Sequence, residues 1–233
     1  MGAGGRLAKG LLAATCLAGA ACRSETPSIR GLHGAIEPIA PDMALDAQRY
    51  IGLRVDQIST FRTEGLRYRR TVTRVSASTE GLSPSSSGLR QQRVESLPAN
   101  GPPVLESEVT YDVEAPEGPS VVAFRNPSGR SPPEAASQRA LVLPATLQQG
   151  VRWTAGDRDH EIIGHAAVHA DIGEQRDCVV VESGPSFRLR SFYCEAVGLT
   201  LVLEERLGRW HLEQILEKQE MLDAGSSAPR SVD

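Results

Sequence analysis

Lysine is almost absent from this chain. Only Lys9 and Lys218 occur, and every other basic side chain is arginine. Genomic base composition accounts for that more simply than an arginine-specific role. Aromatic residues are scarce at 4%, so a core must rest on Val, Leu, Ile and Ala. A basic excess is missing too. The formal charge is -4, and removing residues 1–21, which hold Arg6 and Lys9 and no acid, leaves -6. That balance excludes a nucleic-acid binder, whose phosphate contacts need a basic face. No apolar run approaches the roughly 20 residues a spanning helix needs.

Catalytic motifs are missing as well. There is no G-x-S-x-G elbow, and the S-x-x-K pattern fails because Ile215 stands where Lys218 would need a serine. No P-loop or G-x-G-x-x-G follows a strand, and no cofactor is expected. His160-Glu161-Ile162-Ile163-Gly164-His165 is one residue too long for the H-E-x-x-H zinc pattern. His165 and His169 have the i,i+4 spacing of a helical metal pair, but on a strand they would sit about 13 Å apart. They are weak metal candidates, and no metal is expected. Glu204 and Glu205 are adjacent, so a strand points them to opposite faces, wrong for an acid/base pair.

What is present begins at the N-terminus. Arg6 and Lys9 form a short positive region, Leu11 to Ala21 is small and apolar, and Gly19, Ala20 and Ala21 precede Cys22. This is the anatomy of a secretory signal peptide. Gly19-Ala20-Ala21-Cys22 resembles the lipobox of bacterial lipoproteins, with Gly19 where Leu is usual. The resemblance implies a lipid on Cys22 and a protein anchored to a membrane without crossing it. Arg23 follows where an Asp would imply inner-membrane retention in enteric lipoproteins, so it points to the outer membrane. An ordinary secreted or periplasmic protein is the alternative. Export permits disulfides. Cys178 with Cys194 is a candidate bridge that leaves Cys22 odd, and acylation explains an odd cysteine.

Fifteen Pro and 22 Gly indicate many turns. The period along the chain is mostly two. Val109, Tyr111 and Val113 alternate with polar residues, as do Val197, Leu199, Leu201 and Leu203 with their neighbours. Cys178 to Val181 reads as a buried strand. The turn residues Ser183 to Ser186 then lead into a strand over residues 187–193. A hairpin centred on Gly184-Pro185 places Cys178 opposite Ser191, so a Cys178–Cys194 bridge needs a bulge, a longer loop or another pairing. Leu207-Gly208 marks a second hairpin. The segment from Trp210 reads as a strand, although EQILEKQEML holds good helix formers; it is expected to end in a helical turn.

The expected organisation is a signal peptide at 1–21, a tether at 22–45, a β-rich domain at 46–221 and a disordered tail at 222–233. Ser76 to Gly88 and Asn126 to Gln138 read as exposed loops. A weak echo relates Tyr50–Phe61 to Leu143–Trp153 and suggests two similar halves, 46–125 and 139–221. Leu147, Gly150 and Trp153, with Pro144 early, then Cys178, then Tyr193, Val197, Gly198 and Leu199, resemble motifs of uncharacterised β-rich exported bacterial proteins. The resemblance implies a β fold and export, and no activity.

The fold class expected is mainly β, with antiparallel twisted sheets and little helix. Arg62, Arg67, Arg69, Arg70 and Arg74 form a candidate patch for an anionic partner, against the plainer reading of a solvated, charge-protected sheet. The function expected first is a non-enzymatic envelope lipoprotein that binds or scaffolds an envelope protein or lipid at the membrane surface. A carrier of lipid or a small apolar ligand comes second, and a hydrolase last.

Overall fold

The computed structural model describes residues 31–74, 88–127, 139–184 and 188–222. The signal peptide, Cys22, the tail and most of the two polar loop stretches lie outside them. Within the described residues the protein is mainly β and antiparallel. The one helical element among the described residues is a 3-10 turn at Ala47–Arg49, capped by Asp46, whose side chain accepts from the Gln48 N–H.

The strands run β1 Leu32–Glu37, β2 Leu45–Asp46, β3 Gln57–Arg62, β4 Arg67–Arg74, β5 Leu89–Leu97, β6 Val104–Asp112, β7 Ser120–Arg125 and β8 Ala140–Leu141. They continue as β9 Thr146–Leu147, β10 Arg152–Ala155, β11 Arg158–Ala170, β12 Gly173–Gly184, β13 Leu189–Cys194, β14 Gly198–Arg206 and β15 Arg209–Met221. Thirteen of them form one sheet. Its order is β1, β11, β12, β13, β14, β15, β3, β4, β5, β6, β7, β8, with β10 also paired to β11. β2 and β9 pair separately, Leu45 opposite Leu147. The sheet is therefore two meanders, β3–β7 and β11–β15, joined where β15 pairs with β3.

β1 corrects the expected tether: Leu32–Glu37 joins the sheet beside β11, with Leu32 opposite Val168. β15 corrects the expected helical turn. Its end stays extended because β3 supplies ladder partners, Met221 opposite Gln57, and such pairing overrides helix propensity. The β12–β13 hairpin is centred further along the chain than the sequence suggested. Ser183 pairs with Leu189, so a longer loop places Cys178 opposite Cys194 rather than Ser191. The two sulfurs are bonded, with Cα atoms 3.9 Å apart. At the next hairpin Leu207 (φ 53°) and Gly208 (φ 75°) form the two-residue turn between Arg206 and Arg209. Two successive positive φ values match the twist of the strands they join.

The second meander buries apolar side chains on both faces. One face carries Ala166, Val168, Cys178, Val180, Phe192, Cys194, Leu201, Leu203 and Ile215. The other carries Ile162, Val179 and Val181 under Ile39, Ala47, Tyr50, Leu143 and Leu147. This is why Cys178 to Val181 is an unbroken apolar run, as strands covered on both faces are. The sheet's two ends approach each other at Trp153 of β10, whose indole N–H donates to the Leu141 carbonyl of β8 at 3.2 Å. Curling of this kind sets the inner face of β3–β6 opposite residues of β13 and β14.

Candidate functional site

Alternation on β3, β4, β5 and β6 sends one set of residues inward: Gln57, Ser59 and Phe61, then Arg70, then Gln92, then Tyr111. Tyr193, Val197 and Leu199 face them from the second meander, and Ile51, Gly52, Leu53 and Val142 complete the wall. They enclose a cavity of about 80 Å³. The lining sets polar and aromatic side chains beside Ile51, Leu53, Val142, Val197 and Leu199, unlike the wholly apolar core next to it.

Arg70 dominates this cavity. Its guanidinium carbon lies 4.3 Å from the centroid of the Phe61 ring, a cation–π contact. Nη2 donates to Gln214 Oε1 at 3.1 Å. Nε is sealed from solvent and has no hydrogen-bond partner, and neither does the Gln214 amide nitrogen. The Tyr111 hydroxyl donates to Gln92 Oε1 over a long 3.3 Å. Burial pulls Arg70 below its usual value, and Tyr111 and Tyr193 act against that. Burial likewise pushes the Tyr193 phenol up to about 12, with Tyr111 adding to the shift and Arg70 opposing it. Tyr111 is raised by burial too. Both phenols stay protonated at neutral pH and are available as donors.

A second cavity of about 330 Å³ adjoins the first. It shares Ile51, Gly52 and Leu53 and adds Gln48, Arg49, Arg54, Arg90, Glu114 and Glu195 among its walls. Arg49 is ion-paired to Glu195, and its carbonyl accepts from the Ala196 N–H at 2.7 Å. The shared segment is held by backbone contact. Gly52 has φ 65°, and a Cβ there would meet the Val197 carbonyl oxygen at 2.2 Å and the Gly198 Cα at 2.5 Å. Only glycine fits.

The arginines read as one patch do not make one. Arg62 pairs with Asp171 at 2.8 Å and Arg67 with Glu217 at 2.5 Å. Arg69 meets Glu95 through both Nε and Nη2, at 2.8 and 2.5 Å. Arg70 faces inward, because neighbours on a strand point to opposite faces. Arg74 belongs to β4, and its side chain lies outside the described ones. His165 and His169 both lie on β11, four residues apart on an extended strand. No group of three or more His, Cys, Asp or Glu is placed to hold a metal ion among the described residues.

A groove of about 640 Å³ elsewhere is lined by Trp153, His160, Glu182 and Arg188 among others. Behind its wall Ser183, which does not line the groove, has its Oγ 2.8 Å from His160 Nδ1, a distance suited to a nucleophile and its base. The two residues are cross-strand partners, Ser183 is only 5% exposed, and Trp153 stacks on the imidazole at 5.1 Å. The pairing packs the sheet and leaves no open approach to the hydroxyl. Burial, with Arg158 second, pushes this imidazole below its ordinary value, while the Ala155 backbone opposes.

Sequence reasoning placed Tyr111 on a buried face and Arg70 on an exposed one. The signal that separates them is the adjacency of Arg69 and Arg70: on a strand the two cannot share a face. The sequence does not show that Tyr193, more than 120 residues from Arg70, closes the same cavity.

No family model matches the chain, and no curated protein matches it. Among solved structures, a crystal structure from Parabacteroides distasonis, provisionally described as a lipoprotein, is similar over 76% of this chain and 100% of its own. The identity is 10% and the TM-score 0.39. At that distance the likeness carries no argument.

Proposed function

We propose that this is an exported bacterial envelope protein, held to a membrane by lipid on Cys22, whose β domain is a non-enzymatic binding module. Cysteine accounting carries the reading. Signal cleavage before Cys22 leaves three cysteines, and Cys178 is bonded to Cys194. The remaining thiol directly follows a signal-like leader, where acylation explains it. Two acyl chains on one residue hold a soluble domain stably, at about 0.8 kcal/mol per buried CH₂. Arg23 favours the outer membrane over the inner.

The binding half of the reading rests on the polar cavity at Arg70. A small polar ligand suits it better than an acyl chain, because Gln57, Ser59, Arg70, Gln92 and two tyrosines stand in its wall beside five aliphatic side chains, and its volume is only about 80 Å³. The test is mass spectrometry of the intact protein taken from membranes in mild detergent. The expected result is a chain starting at Cys22 with acyl groups added, and a Cys22→Ser variant that moves to the soluble fraction. A wild-type chain that fractionates as soluble, cut after the leader with no added mass, overturns the anchor.

A further inference from the structure

We propose that the cavity at Arg70 binds a carboxylate-sized oxyanion, with the guanidinium as the cationic partner and the Tyr111 and Tyr193 hydroxyls as neutral donors. The proposal deepens the binding-module reading by naming a ligand class, and it does not depend on the anchor at Cys22.

Three observations carry it. First, Arg70 is a partly buried cation that lines the cavity without a counter-ion. Among the described residues no carboxylate pairs with it; its one acceptor is the neutral Gln214 amide, and its Nε has none. Buried charges are normally paired; with Nε sealed and Nη2 held by Gln214, the guanidinium meets an anion in the cavity through Nη1, in a charge-assisted hydrogen bond. The guanidinium carbon also lies 4.3 Å from the Phe61 ring centroid, a cation–π contact that helps to hold the group at the cavity wall.

Second, the size is right for an anion and wrong for a bulky ligand. The cavity of about 80 Å³ holds two or three waters at roughly 30 Å³ each. It falls well short of the roughly 300 Å³ at which drug-sized pockets begin. Tyr111 now spends its proton on a long bond to Gln92, and an ionised acceptor would outcompete a neutral one.

Third, the adjoining cavity of about 330 Å³ gives room beyond the carboxylate, with Arg49, Arg54 and Arg90 in its walls. Two sources of the same chemistry therefore fit: a free small carboxylate, or the carboxylate end of a larger molecule whose remainder lies in the outer cavity.

Calorimetric titration of the processed full-length protein with acetate, and separately with decanoate, in a carboxylate-free buffer tests this. Saturable one-to-one binding of at least one probe is expected, weakened tenfold or more in Arg70→Met. Acetate binding as tightly as decanoate identifies a free small anion, and binding of decanoate alone identifies a headgroup. No saturable binding of either probe overturns the proposal, and so does undiminished binding by Arg70→Met. That variant is expected to fold, since it removes a cation that has no counter-ion and whose burial is costly. Should it not fold, Tyr193→Phe must bind more weakly than wild type, and unchanged affinity overturns the proposal. If both probes fail while protein from membranes still carries extra non-covalent mass, the binding module stands and its site is elsewhere.

Discussion

The two meanders have the same number of strands in the same antiparallel order but bury different things. Among the described residues of β11–β15 the buried positions on the two faces include Ile162, Val168, Val179, Val180, Phe192, Leu201, Leu203, Ile215 and Leu216, and the only buried polar residues are Ser183 and Thr200. In β3–β7 the buried apolar residues are Phe61, Val72 and Val109, against buried Gln57, Ser59, Gln92, Glu95, Thr110 and Ser120. An apolar interior gains stability in proportion to the area removed from water. A polar one gains little net stability, because its hydrogen bonds replace bonds to water. The second meander is thus the scaffold. The first meander holds an interior that stability alone does not require, and the unpartnered Arg70 Nε lies in it. Sites of function are where local rules are broken and the cost is carried by the rest of the fold.

The largest expected effect breaks the scaffold. Phe192 is fully buried at the centre of the aliphatic cluster, and Phe192→Ala should cost about 3–5 kcal/mol. Val72→Ala, in the first meander, removes fewer atoms from a buried side chain that belongs to neither apolar cluster and should cost well under half as much. Urea unfolding of both variants checks the contrast. Equal losses would show that the two halves contribute alike.

Much of this contrast was legible in the sequence. The unbroken run Cys178 to Val181 announces a strand covered on both faces, and the alternation of Val109 and Tyr111 with polar neighbours announces one covered on a single face. β strands leave such traces because side chains alternate with period two. What was not legible depends on distant pairing. Nothing local in Leu32–Glu37 distinguishes a strand from a tether until β11 is there to bond it. Nothing local in EQILEKQEML prefers a strand until β3 lies alongside. The hairpin register turned on loop length, and a shift of three residues moved Cys178 from Ser191 to Cys194. Arg70 was misplaced for another reason: five arginines in one stretch invite a count of charge, while the strand period divides them between two faces.

An intermediate effect tests the joint between the halves. Gly52 precedes the first meander, and Gly198 opens β14 of the second; their backbones touch, so that a Cβ on Gly198 would lie 2.8 Å from the Gly52 Cα. Gly52→Ala must adopt a left-handed backbone, at about 1–2 kcal/mol, and must also push the Val197 carbonyl away. The expected loss exceeds the backbone figure alone, and it should be accompanied by weaker acetate binding, because Gly52 also lines both cavities. A loss confined to the backbone figure, with affinity intact, would mean that the two segments separate without cost to the site.

The smallest effect is silent at neutral pH and separates the halves by titration. Tyr193 comes from the scaffold and Tyr111 from the polar interior, yet both are lifted by burial. For Tyr193 the folded value of about 12 lies above the usual value of about 10 for a tyrosine in an unfolded chain. Below pH 10 both states hold the proton and stability does not depend on it. Between about 10 and 12 the unfolded chain releases its proton while the folded protein retains it, so stability falls as pH rises through that window. Tyr193→Phe has no proton to release and should unfold with a shallower alkaline limb, while Tyr111 keeps the limb from vanishing. Melting temperatures taken from pH 9 to 12 read the difference directly. An alkaline limb unchanged by Tyr193→Phe would mean that the phenol is solvated in solution, and that the wall between the two meanders is open to water.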